Sequence, residues 1–336
     1  MDLDSSAAEQ AILAVLTGTP IVEAARWVRA SPERLAEAVE LYRDAGRATL
    51  DARPDSSGWQ QTNIEFAYYP TADRVFRTYL LPPLRQAEDT GRIGSWWFIR
   101  KYPCWRLRLT PGPQALVEGM TKPIAEALDS AISRGVVKSW RPSSYEPETT
   151  AFGGPDGMHI AHALFHADSV GVLDYLQPTG TNSSGFLDPK ATSLLVISLF
   201  LRAAGQEWSE QGDVWARVEM ARPLPDDVPT ERVTAMTGSL RKLLTIDTSS
   251  YAVSTLLAPL AEWTDAMTQG GQALGQAGRE GRLGLGTRNI LARHVIFHWN
   301  RMGFTTRQQA IWARAARETI LGDSPCTGMM RSQLAR

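Results

Sequence analysis

The alternation of strand-like and helical segments between Trp59 and Tyr145 constrains the fold of this chain most strongly. Strand patterns cover residues 59–69, 95–100, 104–109 and 136–145, and helical patterns cover residues 71–86 and 113–133 between them. This β-α-β-β-α-β order is typical of an α+β sandwich of the ferredoxin-like type. We therefore expect an antiparallel or mixed sheet with helices packed against it.

The chain after Gly153-Gly154 is almost entirely helical in pattern. Helical periodicity covers about residues 156–177, 188–204, 206–220, 229–245, 251–278, 286–302 and 305–321, with loops at 179–185 and 223–229. The glycine-rich stretch 270–286 lacks the preceding strand and the Lys-Ser/Thr pair of a phosphate-binding loop, so it indicates a flexible connection or lid. The predicted fold class is thus α+β, with the sheet part packed against a large helical part.

Domain boundaries follow from these changes of pattern. Residues 1–50 are predicted to form a helical extension, and residues 59–322 the main domain, with an α+β part at 59–152 and a mostly helical part at 153–322. In the extension, Ser31-Pro32-Glu33 begins a helix that is predicted to end near Ala45-Gly46. The short helices predicted within residues 1–50 resemble a winged-helix or helix-turn-helix unit, but no basic recognition helix is evident. A structural or peptide-docking module is therefore favoured over DNA binding.

The composition indicates a cytoplasmic globular protein. The 35 Lys and Arg residues nearly balance the 36 Asp and Glu residues, so no overall field attracts nucleic acid or an anionic membrane. No apolar run approaches the roughly 18–20 residues of a membrane span, and the acidic start Met1-Asp2-Leu3-Asp4 lacks the basic region of a signal peptide. Cys104 and Cys326 have neither the number nor the spacing of a metal site or a disulfide framework, which indicates a reducing compartment.

Two arginines on one strand form the first candidate binding element. Arg106 and Arg108 are two residues apart and so point from the same face, whereas Trp105 points from the other. Paired guanidiniums on one sheet face can hold a carboxylate or carbonyl oxygens. An Arg-x-Arg pair alone, however, is more often a solvated strand face.

A polar stripe on the helix predicted at 286–302 forms the second candidate element. Thr287, His294, His298 and Arg301 fall at i, i+7, i+11 and i+14 and share one face. A hydroxyl, two imidazoles and a guanidinium could supply acid/base catalysis or polarise a carbonyl. A polar seam satisfied by neighbouring loops explains the stripe equally well.

A third group, His159, His162 and His166, has i, i+3, i+7 spacing on the helix after Gly153-Gly154. Zinc sites usually recruit ligands from more than one element, and no Glu of the His-Glu-x-x-His type is nearby. A core or interface helix that carries histidines is therefore favoured over a metal site. We predict no metal, and the absence of any cofactor motif predicts no cofactor.

Four ordered motifs resemble one known family. They are Gly91-Arg92-Ile93 through Ser95–Tyr102 leading into Arg106-Leu107-Arg108-Leu109, Tyr145-Glu146-Pro147-Glu148 closing on Gly153-Gly154, Phe165-His166-Ala167-Asp168-Ser169, and His298-Trp299-Asn300-Arg301. This set is similar to the thiopeptide-type bacteriocin biosynthesis domain, which is also the C-terminal glutamate-elimination domain of class I lantibiotic dehydratases. The resemblance covers about residues 59–321.

Departures from the family pattern indicate which activity to expect. Eliminating members usually read His-x-Arg-x-Arg on the arginine strand, where this chain has Cys104 and Trp105 before the arginines. They also carry an arginine where this chain has Ala151. The resemblance therefore points to the pyridine synthases of the family. These join two dehydroalanines of an azole-rich precursor in a formal aza-[4+2] cycloaddition, and then lose water and the leader peptide amide.

The proton transfers that this reaction requires suggest roles for individual residues as a hypothesis. His298 is expected to be the acid/base group, with Thr287 and His294 as supporting donors and Glu148 and Tyr145 positioning or relaying protons. Arg108 is expected to be catalytic as well, by orienting a backbone carbonyl. The substrate-binding residues are expected to be Arg106, Arg301, Asn300, Trp97, Trp105 and Trp299.

The expected partner is a precursor peptide with its leader and an azole- and dehydroalanine-containing core. Other enzymes of the same pathway are further candidate partners, and the oligomeric state is left open. The N-terminal helices and an open sheet edge are both candidate leader sites. Two alternative functions stay open: a glutamate-eliminating lyase that works with a separate glutamylating subunit, and a non-catalytic leader-binding protein.

Overall fold

The computed structural model describes residues 5–51, 58–113, 115–176, 188–246 and 257–322. The chain divides into two units, one of residues 1–60 with 142–145 and one of residues 61–141 with 146–336. The predicted helix start at 251–256 and the predicted loop at 179–185 lie outside the described residues. No helix in the described ranges is long and apolar enough to cross a membrane.

The first unit contains three helices: α1 (Ser5–Leu16), α2 (Ile21–Trp27) and α3 (Pro32–Asp51). Helix α3 begins as the sequence predicts, because the backbone N–H of Arg34 donates to the Ser31 hydroxyl at 3.3 Å. It runs past the predicted end at Ala45-Gly46. The core of the three helices contains the buried residues Ala11, Ile12, Ala24, Ala25, Leu35 and Val39.

The second unit begins with the predicted β-α-β-β-α-β part. Its strands are β1 (Gln60–Phe66), β2 (Ile93–Lys101), β3 (Cys104–Pro111) and β4 (Val137–Ser143). Between β1 and β2 lie a 3-10 turn (Tyr69–Thr71), α4 (Ala72–Val75), a π-helical turn (Phe76–Leu80) and α5 (Leu81–Asp89), and between β3 and β4 lies α6 (Val117–Ser133). The strand order β2-β3-β1-β4 is that of a ferredoxin-like sheet. The predicted α+β fold class is confirmed.

The β2–β3 hairpin separates an apolar face from a face that carries the arginines. Antiparallel pairing places Trp97 opposite Arg108 and Ile99 opposite Arg106. Trp105 points to the other face, where its ring stacks on Phe98 with centroids 4.8 Å apart. The predicted alternation along β3 is confirmed, and its cause is the two-residue period of a strand.

Within the described residues, the helical part contains α7 (Pro155–Tyr175), α8 (Pro189–Ala203), α9 (Trp208–Ala221), α10 (Thr230–Thr234), α11 (Thr237–Leu244), α12 (Ala261–Arg279), α13 (Thr287–Met302) and α14 (Thr306–Leu321). The helix predicted at 229–245 is divided into α10 and α11. Short 3-10 turns at Thr149–Phe152 and Ala258–Leu260 precede α7 and α12.

Helix α7 covers the outer edge of β2. The backbone N–H of Phe98 donates to the Ser169 hydroxyl at 3.2 Å, and the backbone oxygen of Trp96 lies 2.8 Å from His166 Nδ1. A sheet edge offers a docking place to a peptide strand only while its backbone groups are unpaired. These contacts therefore close one of the two sheet edges to a leader peptide.

Glycines allow α12 to approach its neighbours closely. A Cβ at Gly171 of α7 would lie 2.1 Å from Cγ of Trp263 on α12, and a Cβ at Gly270 would lie 2.2 Å from the Leu164 side chain. A Cβ at Gly271 would lie 2.6 Å from the backbone oxygen of Phe200 on α8. The interpretation of stretch 270–286 as a flexible connection is thus wrong for its first part. Those glycines lie within α12, where they permit close packing.

We expect Gly171→Ala to lower the free energy of unfolding by about 1–3 kcal/mol, because the added methyl group overlaps the Trp263 ring and forces it to move. Gly119→Ala is the matched control, since Gly119 is also helical but a methyl group added there would have nothing within 4 Å. The control should leave stability unchanged or raise it by up to about 1 kcal/mol. Denaturant unfolding measures both changes, and equal midpoints for the two variants would contradict this account of the packing.

Candidate active site

A buried carboxylate organises the polar stripe of α13. Asp168 of α7 is 1% exposed and accepts hydrogen bonds from the Trp263 indole at 3.0 Å and from Nε of Arg301 at 2.6 Å. Its Oδ1 also lies 2.8 Å from Nδ1 of His298. His298 and Arg301 are three residues apart on α13 and therefore project from one face of the helix. Two residues of the predicted stripe, His298 and Arg301, thus contact a carboxylate of another helix.

His298 is fully enclosed by this network. Its ring is 1% exposed, and Nε2 lies 2.9 Å from the hydroxyl of Ser193 on α8. Ser193 in turn accepts a hydrogen bond from the Trp299 indole at 3.1 Å. Beside the ring is a cavity of about 10 Å³, room for about one water molecule. In this arrangement both ring nitrogens are bonded and no face of the imidazole is open to a peptide, which argues against direct acid/base contact.

Opposing electrostatic effects set the charge of Asp168. Burial alone would raise the pKa of this carboxyl, but the charges of His298 and Arg301 and their hydrogen bonds outweigh burial and hold the pKa well below its usual range. Burial lowers the pKa of Arg301, and the carboxylate of Asp168 opposes that effect. The ion pair therefore depends on both partners, because either charge alone would be buried without compensation.

His294 lies in the same stripe but outside the hydrogen-bond network. Burial, and then the charge of Arg301, lowers the pKa of His294 to about 3, against the opposing effect of Asp168. Among the described residues, no hydrogen-bond partner reaches its Nε2. The imidazole packs edge-to-face against Phe152, with centroids 5.0 Å apart. His294 is thus a neutral core side chain at neutral pH.

The arginine face of the hairpin carries a second polar cluster. Nε of Arg108 donates to Oε1 of Gln61 on β1 at 2.7 Å, and its guanidinium lies over the Trp97 ring at 4.1 Å. The ring of His162 on α7 is tilted against the same indole, with centroids 6.4 Å apart. Arg108 is 8% exposed, whereas Arg106 and His162 are partly exposed. We call Gln61, Trp97, Arg106, Arg108 and His162 the sheet-face cluster.

The tryptophans predicted to stack on azoles have their faces occupied by protein groups. Trp97 contacts both the Arg108 guanidinium and the tilted ring of Phe165, and Trp97, Trp105 and Trp299 are all fully buried. Trp105 stacks on Phe98, and Trp299 stacks on Trp215 with centroids 5.6 Å apart. None of them offers a ring face to a ligand in this structure. These large rings fill the core in this structure, and azole stacking on them stays a prediction.

Other predicted residues line a groove on the opposite side of α13. This groove has a volume of about 640 Å³ and includes Glu148, Arg293 and Asn300 in its wall. Glu148 accepts a hydrogen bond from Arg293 at 3.0 Å, and Asn300 accepts one from Gln309 at 2.9 Å. Glu148 and Asn300 are thus separated from the enclosed face that carries His298.

Thr287, another predicted catalytic residue, lies apart from His298. Thr287 begins α13, eleven residues before His298, which corresponds to about 16 Å along the helix axis. Its hydroxyl is directed at Gly278 of α12. Tyr145 belongs to the first unit, where its ring packs edge-to-face on Trp59 with centroids 6.2 Å apart. The stripe has the predicted helical period, but its length exceeds the reach of one site.

The structure adds residues that the sequence did not assign to a site. Asp168 belongs to the Phe-x-x-Asp-Ser motif, so the sequence marks it as a motif residue but assigns it no role. No sequence pattern marks Ser193, Gln61 or Trp263 as site residues, since their hydrogen-bond partners are distant in sequence. His162 stood out only as one of the histidine group. The three histidines of that group do not converge, because His166 turns to Trp96 and Glu88. No set of three or more His, Cys, Asp or Glu residues in the described ranges could hold a metal ion.

Comparison with known proteins identifies the family. Residues 59–320 match the family described as the C-terminal part of the lantibiotic biosynthesis dehydratases, and the chain belongs to this family. No curated protein matches the sequence. The fold is similar to those of three solved structures whose sequence identity to this chain is 11–18%.

The first similar structure is the tRNA-dependent lantibiotic dehydratase MibB from Microbispora sp. 107891, with 18% identity and a TM-score of 0.59 over 80% of this chain and 28% of that protein. The second is TsrL, with 15% identity and a TM-score of 0.55 over 80% of this chain and 100% of TsrL. The third is TbtD, the pyridine synthase from thiomuracin biosynthesis, with 11% identity and a TM-score of 0.53 over 78% of this chain and 97% of TbtD. At these identities the likeness establishes the fold.

Asp168→Asn should lower the free energy of unfolding by about 3–5 kcal/mol, because it leaves the buried Arg301 charge without a counter-charge. Asp174→Asn is the matched control on the same helix. Asp174 pairs with Arg85 where both side chains are more than 40% exposed, so its loss should cost about 1 kcal/mol or less. Chemical denaturation at neutral pH measures both values. Equal losses would contradict the central place given to Asp168.

His294 should make the protein less stable in acid. Its pKa is about 3 in the folded chain against an ordinary 6.5, so the unfolded chain binds a proton between these values that the folded chain does not. Stability therefore falls as the pH drops from about 6.5 towards 3, by at most about 1.4 kcal/mol per pH unit. The free energy of unfolding of His294→Leu should fall less steeply over this pH range. That of the control His159→Gln, at an exposed position, should change with pH as it does in the unaltered protein. Identical slopes for His294→Leu and the unaltered protein in pH-dependent denaturation would refute the assignment.

Proposed function

We propose that this protein is a thiopeptide pyridine synthase. It joins two dehydroalanines of an azole-containing precursor in a formal aza-[4+2] cycloaddition, and loss of water and of the leader peptide amide then yields the central pyridine. Family membership and the fold shared with TbtD support this proposal. The observation that carries it is the sheet-face cluster, in which the restrained guanidinium of Arg108 and the partly exposed His162 both contact Trp97. Ala151, in place of the arginine of the eliminating members, supports the same assignment.

The sheet-face cluster suits the first step of this reaction. One peptide amide must become an imidic acid before it can act as an azadiene, so negative charge develops on its carbonyl oxygen. Guanidinium donors directed at that oxygen would stabilise the charge. Gln61 and the Trp97 ring restrain Arg108 from two sides, so little side-chain freedom is lost on binding. Holding two alkenes of one chain within reach would supply much of the remaining acceleration.

The enclosed network takes a supporting role in this proposal. His298, His294 and Arg301 are buried and are not among the described residues that line the groove, so we assign them to positioning α7 and α13. Arg301 fixes Asp168 on α7, and the next residue, Ser169, binds the β2 backbone at Phe98. The catalytic role first expected of His298 therefore becomes an indirect one.

One observation favours the glutamate-eliminating lyase as the second candidate. Arg293 of α13 brings a guanidinium to Glu148, at the start of the 3-10 turn that contains Ala151. A guanidinium from another helix could thus serve where the family's arginine is absent. It is exposed and already paired with a carboxylate. This second function requires a separate subunit that glutamylates the precursor.

Mass spectrometry of the purified protein with a leader-bearing, azole- and dehydroalanine-containing precursor tests the proposed function. We expect a macrocycle and the leader released as an amide, with loss of water. An unchanged peptide, together with loss of glutamate from a glutamylated serine precursor, would establish the lyase. Tight binding of the precursor without turnover in either assay would establish a leader-binding protein.

Arg108→Lys should reduce kcat/KM for macrocycle formation at least tenfold, which corresponds to about 1.4 kcal/mol of transition-state stabilisation. Lysine keeps the charge but loses the planar donor set that lies over Trp97. Arg92→Lys, an exposed arginine just before β2, is the control and should stay within about twofold of the unaltered protein. Retained turnover by Arg108→Lys would remove the cluster from the reaction.

A further inference from the structure

We propose that His162 of α7, which faces Trp97 beside Arg108, is a further catalytic residue that transfers the proton of the reacting amide. This inference rests on the proposed function and adds the group that performs its first step. His162 removes the amide proton, so that the N–H bond breaks while Arg108 donates to the carbonyl oxygen. The imidazolium then returns that proton to the oxygen and forms the O–H bond. The amide becomes an imidic acid without any gain or loss of atoms or electrons.

The geometry places an imidazole and a guanidinium around one indole. The Arg108 guanidinium lies 4.1 Å from the Trp97 ring centre, and the His162 ring centre lies 6.4 Å from that of Trp97. The Trp97 ring is also packed against that of Phe165, with centroids 4.6 Å apart. A donor for the oxygen and an acceptor for the nitrogen proton of one amide are therefore carried by rigid neighbouring elements, β3 and α7.

Comparison of the five histidines of the chain singles out His162. His294 and His298 are enclosed in the core. His166 is engaged by the Trp96 backbone and lies 3.2 Å from the Glu88 carboxylate. His159 is exposed one turn before His162. His162 is thus the histidine that is both partly exposed and next to a strand arginine.

The surroundings of His162 keep it unprotonated. Burial, then the charge of Arg108 and then that of His159, lowers the pKa of His162 to about 4. Arg108 belongs to β3 and His159 to α7, so charge reaches His162 from both elements. At neutral pH the imidazole is therefore unprotonated, and its conjugate acid is a strong proton donor. Charge on the amide oxygen would stabilise the imidazolium while it exists.

Turnover of the leader-bearing precursor by His162→Gln, His162→Ala and the control His159→Gln tests the proposal. We expect both His162 variants to lose at least about 100-fold in kcat with little change in KM, as is usual for the loss of a general acid/base. His159→Gln should remain within about threefold of the unaltered protein. Added imidazole should restore part of the turnover of His162→Ala and none of that of Arg108→Lys. A merely structural role for His162 predicts no such rescue.

Two further readouts complete the test. The kcat of the unaltered protein should fall as the pH approaches 4, where His162 gains a proton, and the remaining kcat of His162→Gln should lack that step. Denaturation midpoints and precursor binding identify any variant that fails to fold, and His162→Gln preserves the size and polarity of the side chain for that reason. A macrocycle from the unaltered protein with undiminished kcat in His162→Gln would overturn the role of His162 alone. No macrocycle from the unaltered protein would overturn the proposed function as well.

Discussion

One buried carboxylate, that of Asp168, joins helices that the chain supplies from four separate segments. It lies on α7, receives the Trp263 indole from α12 and Arg301 from α13, and reaches Ser193 of α8 through His298. Taking a carboxylate and a guanidinium out of water costs several kcal/mol per ion, and only well-formed hydrogen bonds offset that cost. The helices must therefore meet in one arrangement, since any other would leave a buried charge without its partners.

Helix α7 transmits this arrangement to the sheet. Three of its residues within little more than one turn point to different neighbours: Asp168 into the helical part, Ser169 to the backbone of β2, and Phe165 to the Trp97 ring. Phe165 also stacks on Phe297 of α13, with centroids 5.0 Å apart and nearly parallel planes. The position of Trp97, and with it that of Arg108, thus depends on contacts that begin at Asp168. Residues that never contact a substrate can alter the sheet-face cluster through this path.

The order of strands and helices could be predicted because each has its own period in the sequence, and the common face of Arg106 and Arg108 followed from the same rule. The inward direction of the α13 stripe could not, since a polar helix face is compatible with solvent or with a buried partner. That partner, Asp168, is 130 residues from His298. The glycines of α12 show the same limit. A glycine in the sequence is consistent with a flexible backbone or with close packing of two helices. The neighbouring Trp263, Leu164 and Phe200, which the folded chain brings against these glycines, show that close packing applies here.

The degree of burial distinguishes the two guanidiniums that could act on a substrate. The side chain of Arg293 is 44% exposed and already paired with Glu148, and exposed ion pairs contribute about 1 kcal/mol or less. Arg108 is 8% exposed and lies on an indole, where water screens its charge less. The stronger stabilisation of developing negative charge is therefore available at the sheet face. A carbonyl oxygen that gains charge beside His162 would use it, whereas a glutamate leaving at the 3-10 turn would meet the weaker of the two cations.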